Sequence, residues 1–250
     1  MVLPLLGVVL GLTPLLTIRS RGVRGTASSP ALETIQHYES YPILPDPHDN
    51  DLHAQFLSLL TPNRESHILD VGFGSGRCIE AFLAAGHRVT AFDACQRYIH
   101  AAQEKLADND TKVKLIHADL HKPFPESVRS ESYDAVFAAR SLFHVSRPLL
   151  PSVLADLHEL CRPGGVFFCL QAHAPGFTDE EDWGCDGDRR YGHFQTIESW
   201  TCLCEAAGFA LIDRYQWPRP SLSGPVDIGD GDESKSMSST VWVTVWRRNG

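Results

Sequence analysis

The stretch Ile68-Leu69-Asp70-Val71-Gly72-Phe73-Gly74-Ser75-Gly76-Arg77 constrains this chain more than any other. Ile68, Leu69 and Val71 suit a buried strand. The three glycines that follow allow backbone conformations closed to most side chains and let a ligand reach bare backbone at a helix N-terminus. Ile79, Phe82 and Leu83 then fall on one helix face, and Gly86 is placed to end that helix. Val89 to Phe92 give a second apolar strand that ends at Asp93. That acid lies about twenty residues past the first loop glycine, where a βαβ unit puts a carboxylate near a ribose. Strand, glycine loop, helix and strand in this order predict an α/β domain with a parallel sheet.

The glycine register narrows the ligand. In the dinucleotide pattern G-x-G-x-x-G the third small residue would fall on Arg77 or on Ile79, so both registers fail. The phosphate loop G-x-x-x-x-G-K-[ST] is missing as well. What stands is Asp70-x-Gly72-x-Gly74-x-Gly76, a loop with an acid at the strand end, suited to a cationic ligand that carries an amino acid. A glycine turn that only packs a helix, flanked by two surface acids, is the competing reading. The segment closely resembles motif I of the class I S-adenosylmethionine-dependent methyltransferases. The resemblance implies S-adenosylmethionine as cofactor and S-adenosylhomocysteine as product. Asp70, Gly72, Phe73 through its backbone, Gly74 and Gly76 would approach the amino-acid part, and Asp93 would take the ribose hydroxyls. Asp93→Ala is expected to weaken cofactor binding without unfolding the domain.

Val113 to Leu120 reads as a third strand ending in Asp119-Leu120, and Tyr133 to Ala139 as a buried fourth. Leu150, Leu154, Leu157 and Leu160 recur at helical spacing until Arg162-Pro163-Gly164-Gly165 stops the helix. Val166 to Leu170 is the fifth strand, Gln195 to Ala207 a helix, and Phe209 to Trp217 the sixth strand. Residues 218–240 are rich in Pro, Gly, Ser and Asp and read as a mobile loop before a final alternating strand, Val241 to Trp246. The resemblance implies one Rossmann-like, doubly wound α/β domain over residues 31–250. Its seven-stranded sheet would have the order 3-2-1-4-5-7-6, with the last strand antiparallel and helices on both faces. It also implies adenine contacts from Asp119 and Leu120, although Asp119 reads too as a cap or loop acid. Shorter phrases, Ser141 to Arg147, Arg162 to Val166 and Trp242 to Arg248, are similar to small tellurite-resistance-type methyltransferases.

The chain has 250 residues, 43% of them hydrophobic, which is ample for one core. Its formal charge of −9 argues against a nucleic-acid groove. Seven cysteines without framework spacing read as reduced thiols in an intracellular, reducing compartment. Cys202-x-Cys204 has no second pair, so no metal is expected. Residues 1–18 are apolar, broken by Pro4 and Pro14 and followed by Arg19, Arg21 and Arg24. An organellar, mitochondrial-type leader, a membrane anchor and an upstream start are the open readings, and each leaves residues 1–30 outside the fold. Membrane association follows only from the anchor; without leader or anchor the chain is cytoplasmic.

Ligands gather at the carboxyl ends of strands in an open α/β sheet, which puts His144, after the fourth strand, at the pocket. Methyl transfer from a sulfonium is an in-line displacement that gains mainly from orientation. A hydroxyl or ammonium acceptor must also lose a proton, so His144 is the candidate base, with packing as an equal alternative. Arg140 suits an acidic acceptor or an internal acid. Tyr191 and His193 sit in the insertion after the fifth strand and are substrate-side candidates, against a solvated loop. Tyr38 lies in a segment that would fold over the cofactor, against a packing helix. The expected function is methyl transfer to a small-molecule acceptor. A protein or RNA methyltransferase, a nucleotide-dependent oxidoreductase and a non-catalytic cofactor-binding protein are the rivals.

Overall fold

The structure is a computed structural model that describes residues 30–40, 49–107, 111–173, 183–184, 191–192, 195–217 and 240–249. The apolar N-terminal segment, His193 and residues 218–239 lie outside the described residues. The strands are β1 (His67–Val71), β2 (Arg88–Asp93), β3 (Val113–His117), β4 (Tyr133–Ala139), β5 (Cys161–His173), β6 (Trp183–Gly184), β7 (Tyr191–Gly192), β8 (Phe209–Trp217) and β9 (Thr240–Arg248). The seven-stranded sheet has the order β3-β2-β1-β4-β5-β9-β8. Its first five strands pair in parallel, and β9 runs antiparallel to both neighbours. With the separate β6–β7 pair set aside, this is the order that the resemblance implies.

Side chains alternate across a strand, so each strand feeds two cores. On one face Ile68, Ala91, Phe137 and Phe168 meet α2 (Asp49–Leu57), α3 (Arg77–Ala84) and α4 (Gln96–Lys105). On the other face Leu69, Phe92, Val136 and Phe167 meet α5 (Glu126–Arg129), α6 (Leu150–Leu160) and α7 (Ile197–Ala206). Neighbouring phenylalanines show the alternation: Phe168 stacks on Phe137 at 5.4 Å, while Phe167 turns to Phe209 at 5.0 Å. The remaining helix, α1 (Pro30–Ser40), reaches the carboxyl end of the sheet, where Glu39 accepts the Gln96 backbone N–H of α4 at 2.7 Å. Among the described residues no helix is long and apolar enough to cross a membrane.

Two local expectations are corrected, and one element is added. Arg162-Pro163-Gly164-Gly165 does not separate helix from strand; β5 already begins at Cys161, which pairs with Tyr133. The run is absorbed as an irregularity, since the register shifts between Tyr133 and Ala135 and Gly164 takes φ +76°. Strand β3 ends at His117, because the Asp119 carboxylate accepts the His121 backbone N–H at 2.9 Å and turns the chain out of the sheet. The β6–β7 hairpin is an addition with strands too short to leave a periodic signal.

At the far end of the sheet His67 is 4% exposed. Its Nδ1 accepts from Arg88 at 3.0 Å, so Nε2 carries the proton and faces Thr90 Oγ1 at 2.9 Å. Burial first and the Arg88 charge second push its pKa down to about 4 from the usual 6.5. The unfolded chain therefore binds this proton more readily than the native one between those pH values. Stability from this site is complete above about pH 6.5 and is lost as pH falls toward 4, by up to about 3 kcal/mol. Urea midpoints from pH 7 to 4.5 should fall more steeply for the natural protein than for His67→Gln. Parallel curves would show that His67 carries no such linkage.

Candidate cofactor and acceptor site

A cavity of about 350 Å³ opens at the carboxyl ends of β1 to β5, at the point where the strand order reverses. The glycine loop forms its floor, and α1 lines it with Thr34, Ile35 and Tyr38. The loop is fixed by β2: Gly72 N–H donates to the Phe92 carbonyl at 2.9 Å, and Gly74 N–H donates to Asp93 Oδ2 at 2.9 Å. The other Asp93 oxygen accepts the Cys95 N–H at 2.8 Å, which fixes the start of α4. Asp93 thus holds the loop in shape before any ligand arrives, a role the sequence does not announce. The expectation that Asp93→Ala spares the fold is revised for this reason.

Asp70 is 2% exposed and its Oδ2 has no hydrogen-bond partner among the described residues. Burial, then the nearby Asp93, raises its pKa well above the ordinary carboxylate range. Burial also raises Asp93, against the lowering effect of its backbone N–H donors. Ser141, from the turn after β4, is 6% exposed and its Oγ is likewise unpartnered among the described residues. Buried polar atoms are rarely left so unless a ligand or water completes them. A cation with hydrogens to donate would satisfy Asp70 and Ser141 together and return Asp70 to its charged form.

The remaining candidates divide among the cavity walls. Phe73 lines the cavity and is also buried in the core beside α3 and α4, whereas Gly76 is not among the lining residues and faces Ala102 and Ile79 instead. Leu120 and Asp119 line the β3 side. Asp119 Oδ1 accepts from both the backbone and the ring of His121, and this bonding holds its pKa low. His144 ends a short 3-10 turn, Leu142–His144, and its Nε2 lies 3.0 Å from the Tyr38 hydroxyl. Tyr38 was expected at the cofactor; it lines the cavity but pairs with the candidate base. Arg140 is exposed at the cavity, with φ +59°, a conformation uncommon for side chains of its size and frequent at functional sites. Tyr191 lies in β7, and His193 falls outside the described residues. Sequence reading missed Ser141 and His121. Both follow strand ends by two to four residues, but their roles depend on contacts with distant segments.

A family model of the methyltransferase domain matches residues 68–165, from β1 through the start of β5. Across this stretch the chain is similar to the methyltransferase-domain family. A sterol 24-C-methyltransferase of Gibberella zeae is 31% identical over 122 residues, covering 46% of this chain and 30% of that enzyme. A demethylmenaquinone methyltransferase of Clavibacter sepedonicus is 29% identical over 117 residues, covering 46% of this chain and 45% of the enzyme. The chain thus spans less than half the length of either relative. Among solved structures, the N-methyltransferase NodS from Bradyrhizobium japonicum, in complex with S-adenosylhomocysteine, superposes with a TM-score of 0.61 at 15% identity. That match covers 89% of this chain and all of NodS, at 100%. A Burkholderia thailandensis 1,6-didemethyltoxoflavin-N1-methyltransferase, crystallised with that molecule and S-adenosylhomocysteine, gives 0.57 at 21% identity over 84% of this chain and 93% of the enzyme. At such identities these structures share the fold with this chain. The family's cofactor is S-adenosylmethionine, and the unpartnered acid and hydroxyl at the glycine loop fit its ammonium end. The narrower likeness to tellurite-resistance enzymes stays an expectation from short phrases.

Proposed function

We propose that this protein transfers a methyl group from S-adenosylmethionine to a small-molecule acceptor. The observation that carries the reading is the buried, unpartnered Asp70 carboxylate beside the glycine loop. When bound, S-adenosylmethionine supplies an electrophilic methyl group on a sulfonium, open to in-line displacement. Asp70 and Ser141 hold the ammonium. Gly72, Phe73, Gly74 and Gly76 offer backbone to the amino-acid part. Asp93 keeps spare lone pairs for ribose hydroxyls beyond the two N–H groups it accepts. Asp119 and Leu120 receive the adenine.

On the acceptor side, His144 takes the proton from a hydroxyl or ammonium nucleophile, and the Tyr38 hydroxyl orients its ring. Arg140 meets an acidic group on the acceptor; Tyr191 and His193 are further acceptor-side candidates on sequence grounds alone. The small molecule named for the toxoflavin enzyme, together with a cavity near the lower end of the range for ligand pockets, supports this class of substrate.

Thermal unfolding with added ligand tests the donor. At one hundred times Kd, S-adenosylmethionine or S-adenosylhomocysteine should stabilise the fold by about 2.7 kcal/mol. For a domain of this size that is a rise in Tm of roughly 5–10 °C. NAD should leave Tm unchanged. A shift with NAD and none with S-adenosylmethionine would overturn the donor assignment. Extract-wide labelling with a methyl-labelled donor then finds the acceptor. Label appearing only in protein or RNA would overturn the small-molecule class.

A further inference from the structure

His121 is used neither by the fold core nor by the proposed chemistry, yet it joins two walls of the cavity. It is 19% exposed and lines the cavity on the β3 side. Its Nδ1 lies 3.1 Å from Asp119 Oδ1. Its Nε2 lies 3.2 Å from the backbone N–H of Ser146, in the segment that follows the His144 turn. The two partners settle the tautomer. Asp119 is an ionised acceptor, so Nδ1 carries the proton; the Ser146 amide only donates, so Nε2 is bare. The ring is oriented at both ends.

The consequence for Asp119 is specific. Its Oδ1 receives two N–H donors, from the ring and from the backbone of His121. Its Oδ2 meets only Lys122 Nζ, at 3.9 Å, among the described residues. Bonding on one oxygen therefore fixes the carboxylate and leaves the other to face a ligand. We infer that His121 is a positioning residue that aims Asp119 Oδ2 at a hydrogen-bond donor on the purine base, and that it ties this aim to the turn carrying His144. The site then selects a 6-amino purine over a 6-oxo purine, because a fixed carboxylate accepts from an amino group and repels a carbonyl oxygen. This inference rests on Asp119 facing the adenine, as proposed above.

Two replacements separate the two ends of the ring. H121N keeps an amide N–H near the Nδ1 position, for Asp119, and loses the Ser146 contact. H121Q puts an amide oxygen near the Nε2 position, for Ser146, and loses the Asp119 contact. Calorimetric Kd values for S-adenosylhomocysteine and for its deaminated analogue S-inosylhomocysteine give the base preference. Hydrogen exchange of residues 142–146 reports the turn.

The natural protein should prefer the adenosyl compound by about thirty-fold or more, in line with the loss incurred when a buried polar group faces the wrong partner. H121N should retain most of that preference and exchange about ten-fold faster at 142–146. H121Q should drop to a preference of about three-fold while keeping slow exchange there. A purely structural His121 would lower Tm in both variants and leave the preference unchanged; that result, or the same preference in both variants, overturns the inference. A natural protein that binds both compounds equally well overturns the placement of adenine at Asp119, and the base-selecting role of His121 with it. The exchange arm still decides whether His121 holds the His144 turn.

Discussion

Asp93→Ala should lower both the stability of the fold and its affinity for S-adenosylmethionine, and it should do so more severely than a surface acid replacement. The carboxylate accepts N–H groups from Gly74 and from Cys95. Hydrogen bonds to charged groups contribute roughly 1.5–3 kcal/mol each, and the alanine leaves both donors without a partner. Burial of the carboxylate offsets part of this, so a net loss of about 2–4 kcal/mol in urea unfolding is expected. Loss of the ribose contact and loosening of the glycine loop should together weaken cofactor binding about a hundred-fold, close to 3 kcal/mol. Asp93→Asn keeps one acceptor and should fall between. Unchanged stability would show that the loop does not depend on Asp93. Lost stability with undiminished affinity in the folded fraction would remove Asp93 from the ribose.

Gly72→Ala should be the most damaging change within the loop. Gly72 has φ +67°, and an added Cβ would stand 2.6 Å from the Cβ of Ser141. Ser141 cannot easily retreat, since its own carbonyl accepts from His144 N–H and the preceding Arg140 N–H is bound to the Leu170 carbonyl. A left-handed backbone costs a side chain about 1–2 kcal/mol, and overpacking about 1–3 more. Gly74 is the internal control: its φ is +57°, but no atom lies within 4 Å of an added Cβ. Gly74→Ala should therefore cost only the backbone share, about 1–2 kcal/mol. Adding Ser141→Gly to Gly72→Ala should recover the steric share and not the backbone share. Equal losses at Gly72 and Gly74 would show that the Ser141 contact is unimportant. Cofactor titration of the same variants should show binding abolished in Gly72→Ala.

What the sequence revealed and what it hid follow one physical rule. Asp70, the glycine loop and Asp93 lie within one βαβ unit, where spacing along the chain fixes distance in space. The strand succession was legible because parallel strands buried on both faces read as apolar runs. The Tyr38–His144 pair joins residues 106 positions apart, so neither partner announces the other. His121 and Ser146 meet across two different crossovers of the sheet, and Ser141 matters only because Gly72 abuts it. Helix α2 went unread because its nine residues carry a weak apolar face, Leu52 and Phe56, among polar neighbours. The Pro-Gly-Gly run was read as a stop because its chemistry usually is one; inside β5 it is tolerated where the register against β4 already breaks.

The unpartnered Asp70 has a kinetic meaning. Methyl transfer removes the positive charge from sulfur and leaves the ammonium untouched. Asp70 and Ser141, if they grip only the ammonium, hold donor and product with equal strength. Such a grip is uniform along the reaction coordinate: it deepens the well in which the ligand sits and leaves the barrier where it was. Any advantage of donor over product, and any acceleration of the chemistry, then has to arise from other residues lining the cavity, and the Tyr38–His144 pair is the proposed source. Under the proposed function, holding the cofactor and choosing which form to hold fall to different parts of the chain.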